Sequence, residues 1–125
     1  MPRSDFRFSL PFRVRYAEID GQKIVFNAHY LTYFDTAITE YVEAIGYDYE
    51  GEAERTNHDY HTVRNVVEYK QPVAFREDID VLVRPGRIGR TSLTFAIEIH
   101  PAGREDLRTT GEVVWVYTNQ ETHES

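Results

Sequence analysis

At 125 residues the chain fits a single domain over residues 1–125, long enough to bury roughly two-thirds of the surface it exposes when unfolded. Fourteen Lys and Arg against 21 Asp and Glu leave a formal charge of −7, which argues against a general binder of DNA or RNA. The absence of cysteine excludes disulfides, thiolate metal sites and a cysteine nucleophile.

Sixteen Phe and Tyr residues and one Trp can carry much of the burial. No apolar run approaches the roughly 18 residues a membrane-spanning helix requires. The opening Met-Pro-Arg-Ser-Asp-Phe lacks the charged-then-apolar pattern of an export signal. A cytoplasmic location is the expectation.

Phe6, Phe8, Leu10, Phe12, Val14 and Tyr16 alternate with Arg7, Ser9, Pro11, Arg13 and Arg15, the period of a strand with one buried face. Tyr16 is then its last inward residue. Pro11 lacks an N–H and belongs at an edge or a bulge. Glu18 to Lys23 form a turn around Asp20-Gly21, a dipeptide common in tight turns for structural reasons alone.

Leu31, Phe34, Ile38, Tyr41, Val42 and Ile45 recur at three- and four-residue steps, and Tyr30, Tyr33 and Ala37 widen the stripe. The spacing predicts a helix of about five turns, covered on most sides. Asn27 suits its N-cap and Gly46 its C′ position. The acidic stretch from Tyr47 to Tyr60 is long for a plain loop and predicts a short helical turn or a mobile cover. His58-Asp-Tyr-His61 falls in it. Two histidines and one acid fall short of a metal-ligand pattern, and no metal is expected.

Four strands follow. Val63, Val67 and Tyr69 precede Gln71-Pro72; Ile79, Val81 and Val83 stop at Pro85-Gly86; Leu93 to Ile99 stop at Pro101-Ala-Gly103; Val113, Trp115 and Tyr117 close the pattern. Such punctuation predicts antiparallel neighbours joined by short turns. One long helix against one antiparallel sheet is an α+β layer. Arg84, Arg87 and Arg90 gather around one predicted turn, with Arg104 and Arg108 further on.

Val14-Arg-Tyr-Ala-Glu-Ile-Asp20 and Ile24-Val-Phe-Asn-Ala-His-Tyr-Leu-Thr-Tyr-Phe-Asp35 resemble hotdog-fold acyl-CoA thioesterases, in particular the 4-hydroxybenzoyl-CoA thioesterase family. Val67-Glu-Tyr-Lys-Gln-Pro-Val73 and Gly89-Arg-Thr-Ser-Leu-Thr-Phe95 extend the likeness, which runs roughly from residue 8 to 118. The resemblance implies a curved antiparallel sheet of about five strands wrapped around one long central helix. It implies hydrolysis of coenzyme A thioesters, sometimes of acyl carrier protein thioesters, without a cofactor.

By the same resemblance the family's acidic residue falls on Asp20, as nucleophile or general base. The backbone N–H that polarises the thioester carbonyl falls at Asn27, and a family tyrosine falls on Tyr16. Ala28, His29, Tyr30 and Phe34 are then expected to line the acyl pocket. Arg87, Arg90 and Ser92 are expected to hold the phosphates of CoA, a role for which the planar fork of arginine is suited. A homodimer or homotetramer is implied, sheets joined edge to edge and residues lent across the interface.

The chain departs from its relatives at Lys23, where they often carry Gly, at Asn27, where many carry His, and at Glu18, where they often carry Asp. The departures at Lys23 and Asn27 keep a second expectation open, a non-catalytic acyl-CoA or acyl-carrier binding module on the same scaffold. A hydro-lyase would need a histidine paired with an acid, and His29 with Asp20 is the local candidate.

Overall fold

The computed structural model describes residues 3–47, 49–119 and 122. Five strands and two helices follow a short 3₁₀ turn at Arg3–Asp5. They are β1 (Phe8–Arg13), α1 (His29–Ala44), α2 (Tyr49–Thr56), β2 (His58–Tyr69), β3 (Asp78–Ile88), β4 (Ser92–Pro101) and β5 (Thr109–Asn119). The strands form one curved antiparallel sheet in the order β1-β3-β4-β5-β2, with α1 against its concave face. This is the hotdog architecture the sequence led us to expect.

The alternation of each strand selects what meets the helix. Ile79, Val81 and Val83 of β3, Phe95, Ile97 and Ile99 of β4, and Val113 and Trp115 of β5 are buried. They pack with Tyr30, Tyr33, Phe34, Ala37, Ile38 and Val42 of α1 in one cluster. Phe12 meets Tyr33 at 4.9 Å between ring centroids, and Phe95 meets Trp115 at 5.0 Å. At Gly111 a Cβ would fall 2.4 Å from Phe34 Cε2, so the missing side chain is what lets the helix settle so close to β5.

The other face of the sheet carries a small polar core. The Asp106 N–H donates to His100 Nδ1 at 3.0 Å, which leaves Nε2 as the protonated nitrogen facing Glu98 Oε1 at 2.8 Å. Both side chains are buried.

Several expectations change. The helix is covered on one side only: Leu31 is 39% exposed and Ile45 64%, while Thr32, Asp35, Thr36 and Thr39 face solvent beside them. The buried stripe keeps Phe34, Ile38 and Val42 and takes in Tyr30, Tyr33 and Ala37 in place of Leu31 and Ile45, because a helix lying on a sheet buries one sector of its circumference. Gly46 does end the helix, with φ +88° and its N–H on the Glu43 carbonyl.

The first strand ends at Arg13. A 3₁₀ turn at Tyr16–Glu18 then breaks the period-2 alternation, so Tyr16 is 78% exposed rather than core. Pro11 sits on β1, an edge strand, opposite Asp80. The third strand continues past Pro85-Gly86 to Ile88. Pro85 lies beyond the last β1 pair, Phe8–Val83, and beside a register irregularity, where a missing N–H disturbs the ladder least.

His58-Asp-Tyr-His61 is not a loop but the start of β2, paired with Asn119 to Val116 of β5. The His58 ring stacks on Tyr117 at 5.1 Å. No group of three metal-ligating side chains occurs among the described residues. The acidic stretch before it holds α2, and Asn57 at φ 57° turns the chain from helix into strand.

Candidate active site

The turn before α1 is built around Glu18. Its Oε1 accepts the Arg15 N–H at 2.8 Å and the Tyr33 hydroxyl at 3.0 Å, and its Oε2 accepts Arg15 Nε at 2.6 Å. Burial pushes the Glu18 carboxyl up, but the three donors outweigh it and hold it below the usual carboxylate range. Burial, then the hydrogen bond to Glu18, pushes the Tyr33 phenol well above its ordinary range. Glu18 is therefore a brace between turn and helix, not a second carboxylate in the cavity.

Beyond Glu18 the chain doubles back. Ile19 bridges Val25, the Asp20 N–H bonds the Ile24 carbonyl at 2.9 Å, and the Lys23 N–H bonds the Asp20 carbonyl at 3.0 Å. Lys23 takes φ 62°, a left-handed conformation natural to glycine. The far side of this hairpin pairs with residues 73–75, through Val25 N–H to Val73 at 2.8 Å and Phe75 N–H to Lys23 at 3.0 Å. Asp20 is thus held by backbone on both flanks. Its Oδ1 accepts the Gln22 N–H at 2.7 Å, while Oδ2 has no partner among the described residues.

The chain then enters α1 without a side-chain cap. Asn27 does not take the N-cap position; Ala28 does, already in helical conformation at φ −68°. The His29 N–H reaches the Phe26 carbonyl at 3.0 Å and the Tyr30 N–H the Asn27 carbonyl at 3.4 Å. The amides of Asn27 and Ala28 have no backbone acceptor among the described residues. They are the free donors expected at a helix start.

Asp20 and Asn27 line one cavity of about 450 Å³. Ile24, Val25, Phe26 and Tyr30 line it too, with Tyr69, Lys70, Gln71 and Pro72 closing the opposite wall. The Tyr30 ring is buried edge-on against Tyr69, 5.0 Å between centroids at 85°. Burial raises the Tyr30 phenol, with hydrogen bonding at Val73 offsetting part of the rise. An anionic oxygen, unpaired amides and an aromatic wall together suit attack on an acyl carbonyl.

The remaining candidates divide. Ala28 and His29 lie between the lining residues Asn27 and Tyr30 in the chain but do not line the cavity themselves: Ala28 is exposed, and His29 is half-buried with its ring 6.0 Å from Phe26. Tyr16 does not line it and sits on the surface against Phe75. Phe34 does not line it either, being sealed in the core against Gly111. Arg87, Arg90 and Ser92 lie on the β3–β4 hairpin and contribute nothing to the Asp20 cavity within one chain.

The wall from Tyr69 to Pro72 was missed as a site from sequence. Its signal was Pro72 ending a strand just where the chain leaves the sheet edge. The bracing role of Glu18 was missed too, although Arg15-x-x-Glu18 has the spacing of a capping box.

The family model for the thioesterase superfamily matches residues 22–107. Among curated proteins no sequence match is found. Similar solved structures include a DHNA-CoA thioesterase from Staphylococcus aureus, 22% identical, with a TM-score of 0.84, covering 93% of this chain and 76% of that one. A 1,4-dihydroxy-2-naphthoyl-CoA thioesterase from Synechocystis is 14% identical, with a TM-score of 0.86 over 94% of this chain and 86% of that one. The PA5185 protein of Pseudomonas aeruginosa is 25% identical, with a TM-score of 0.86 over 98% of this chain and 84% of that one. The sheet order, the single long helix on its concave face and a family match over most of the length agree, and the chain belongs to the thioesterase superfamily as a hotdog-fold thioester hydrolase.

Proposed function

We propose that the chain hydrolyses an acyl-CoA thioester to a carboxylic acid and free CoA, with Asp20 as the catalytic carboxylate. The observation that carries this reading is the shared cavity of Asp20 and Asn27. The thioester carbonyl oxygen accepts from the free amides at Asn27 and Ala28. Removing one such donor typically costs about 3 kcal/mol of transition-state stabilisation. Asp20 Oδ2 either attacks the carbonyl carbon, giving an acyl-aspartyl anhydride that water then opens, or takes a proton from a water that attacks instead. In both routes the C–S bond breaks and the CoA thiolate leaves, to be protonated by solvent. A thiolate is a good leaving group, so no strong general acid is required.

Arg87, Arg90 and Ser92 fit the phosphates of CoA when supplied from a second copy of the chain. The long strand β2 is the outer strand of the sheet among the described residues, and proteins normally cover or pair such edges. A homodimer or homotetramer built on that edge is the assembly we favour. No helix is long and apolar enough to cross a membrane among the described residues, and we favour a cytoplasmic setting.

Thiol release from a panel of acyl-CoAs tests the reading, using wild type and Asp20→Asn. We expect turnover of at least one acyl-CoA and a loss of about a thousandfold or more in the variant. Full activity in Asp20→Asn overturns the assignment. The hydrogen bond that already occupies Asp20 Oδ1 favours a second reading, an acyl-CoA binding module. It predicts saturable binding with no thiol released.

A further inference from the structure

We propose that Tyr69 is a positioning residue for the amides that receive the substrate carbonyl; the inference rests on the hydrolytic reading above. The Tyr69 hydroxyl donates to the Asn27 carbonyl oxygen at 3.1 Å. That carbonyl belongs to the peptide whose N–H is that of Ala28. The peptide unit is planar, so fixing its oxygen fixes the direction of its hydrogen. A donor on the oxygen also draws charge from the nitrogen and makes the N–H a stronger donor in turn. Asn27 itself lines the cavity, and its Cα joins the two peptide groups that carry the free amides, so a bond that fixes one group restrains the other.

Among the described residues no other side chain holds this carbonyl. Ala28 offers no side-chain cap, and the intrahelical bond to the Asn27 carbonyl, from the Tyr30 N–H, is long at 3.4 Å. Tyr69 supplies the shorter bond from another part of the fold, across the cavity. Its ring is held for the task. It meets the buried Tyr30 ring edge-on at 5.0 Å. The chain just beyond is fastened to the sheet: the Lys70 and Gln71 amides both reach the Arg108 carbonyl, at 2.9 and 3.0 Å. Arg108 is fixed in turn by bonds to the Pro72 carbonyl and Glu77 at 2.9 Å each. Tyr69 transmits the rigidity of the sheet edge to an otherwise uncapped helix end.

Tyr69→Phe keeps the ring contact and removes only the donor. Two measurements test it. In the free protein, the ¹H–¹⁵N spectrum should show the Ala28 amide moving upfield in Tyr69→Phe, with the core amides of β3 and β4 unmoved. In kinetics on the best acyl-CoA of the panel, kcat should fall about tenfold with KM within about twofold, the split expected when a group acts through the transition state.

An unmoved Ala28 amide overturns the proposal, and so does a kcat within about twofold of wild type in an enzyme that Asp20→Asn inactivates. A fall in kcat accompanied by displaced core amides assigns Tyr69 a merely structural role and overturns it too. The hydrolytic reading fails differently, by absence of thiol release from wild type or by full activity in Asp20→Asn.

Discussion

The Tyr33 hydroxyl of α1 donates to Glu18 Oε1 at 3.0 Å, fastening the turn that carries Asp20 to the helix whose first amides share its cavity. One carboxylate thereby sets the distance between the two halves of the candidate site. Its surroundings also give it a pH signature. Glu18 has a folded-state pKa below its unfolded value of about 4.3, so it adds stability above that pH. The contribution is lost as pH falls through the folded-state value.

Glu18→Gln should lower stability at pH 7 by about 1–3 kcal/mol, the range for hydrogen bonds to a charged group. It should also flatten the decline of the urea midpoint below about pH 4.5. Some slope remains, because hydrogen bonds to arginine hold Asp78 and Asp106 low as well. Parallel midpoint curves for wild type and variant would remove Glu18 from this role.

Gly111 predicts a steric cost. A methyl group there falls 2.4 and 2.5 Å from two carbons of Phe34, a side chain sealed in the core. Gly111→Ala should destabilise by about 1–3 kcal/mol, as overpacking usually does. Adding Phe34→Leu should recover part of the loss, a coupling that a double-mutant cycle in urea reads directly. Simple additivity would place the strain elsewhere.

Much of this fold was legible because its signals are periodic. Alternation in β3, β4 and β5 named the inward residues correctly, since those strands are inner members of the sheet with one face on the helix. The errors fall where periodicity stops governing. Tyr16 continues the alternation in sequence, but a 3₁₀ turn that depends on Glu18 turns it outward. Leu31 and Tyr30 are equal candidates for the helix stripe; only the sheet beneath decides which is buried. His58 to His61 looks polar enough for a loop, yet cross-strand partners such as Tyr117 hold it in β2. Asp20 and Asn27 could be matched to a pattern, whereas Tyr69 could not, because its bond joins residues 42 positions apart.

Lys23 gives a prediction of opposite sign. At φ 62° a side chain costs roughly 1–2 kcal/mol relative to glycine. Glycine returns part of that through the greater freedom of the unfolded chain. Lys23→Gly should therefore raise the melting temperature by about 2–5 °C, the shift that a net gain near 1 kcal/mol gives a domain of this size. The Lys23 N–H to the Asp20 carbonyl is a backbone bond and survives the change, so activity should persist. A lower melting temperature would mean that the Lys23 side chain contributes more than its backbone costs.

The outer strand β2 yields the last prediction. It runs for 12 residues with β5 on one side and, among the described residues, no strand on the other, and its register slips between Thr62 and Arg64. Val63, at that slip, is exposed. An apolar residue on an unpaired edge suits a second copy of the same strand, and a lysine there opposes it through charge repulsion at a two-fold contact. Val63→Lys should weaken association in sedimentation equilibrium while leaving the far-UV spectrum unchanged. Thiol release should fall with dissociation under the proposal that Arg87 and Arg90 serve the Asp20 cavity of a partner. Wild type sedimenting as a monomer while hydrolysing acyl-CoA at full rate would show that one chain suffices.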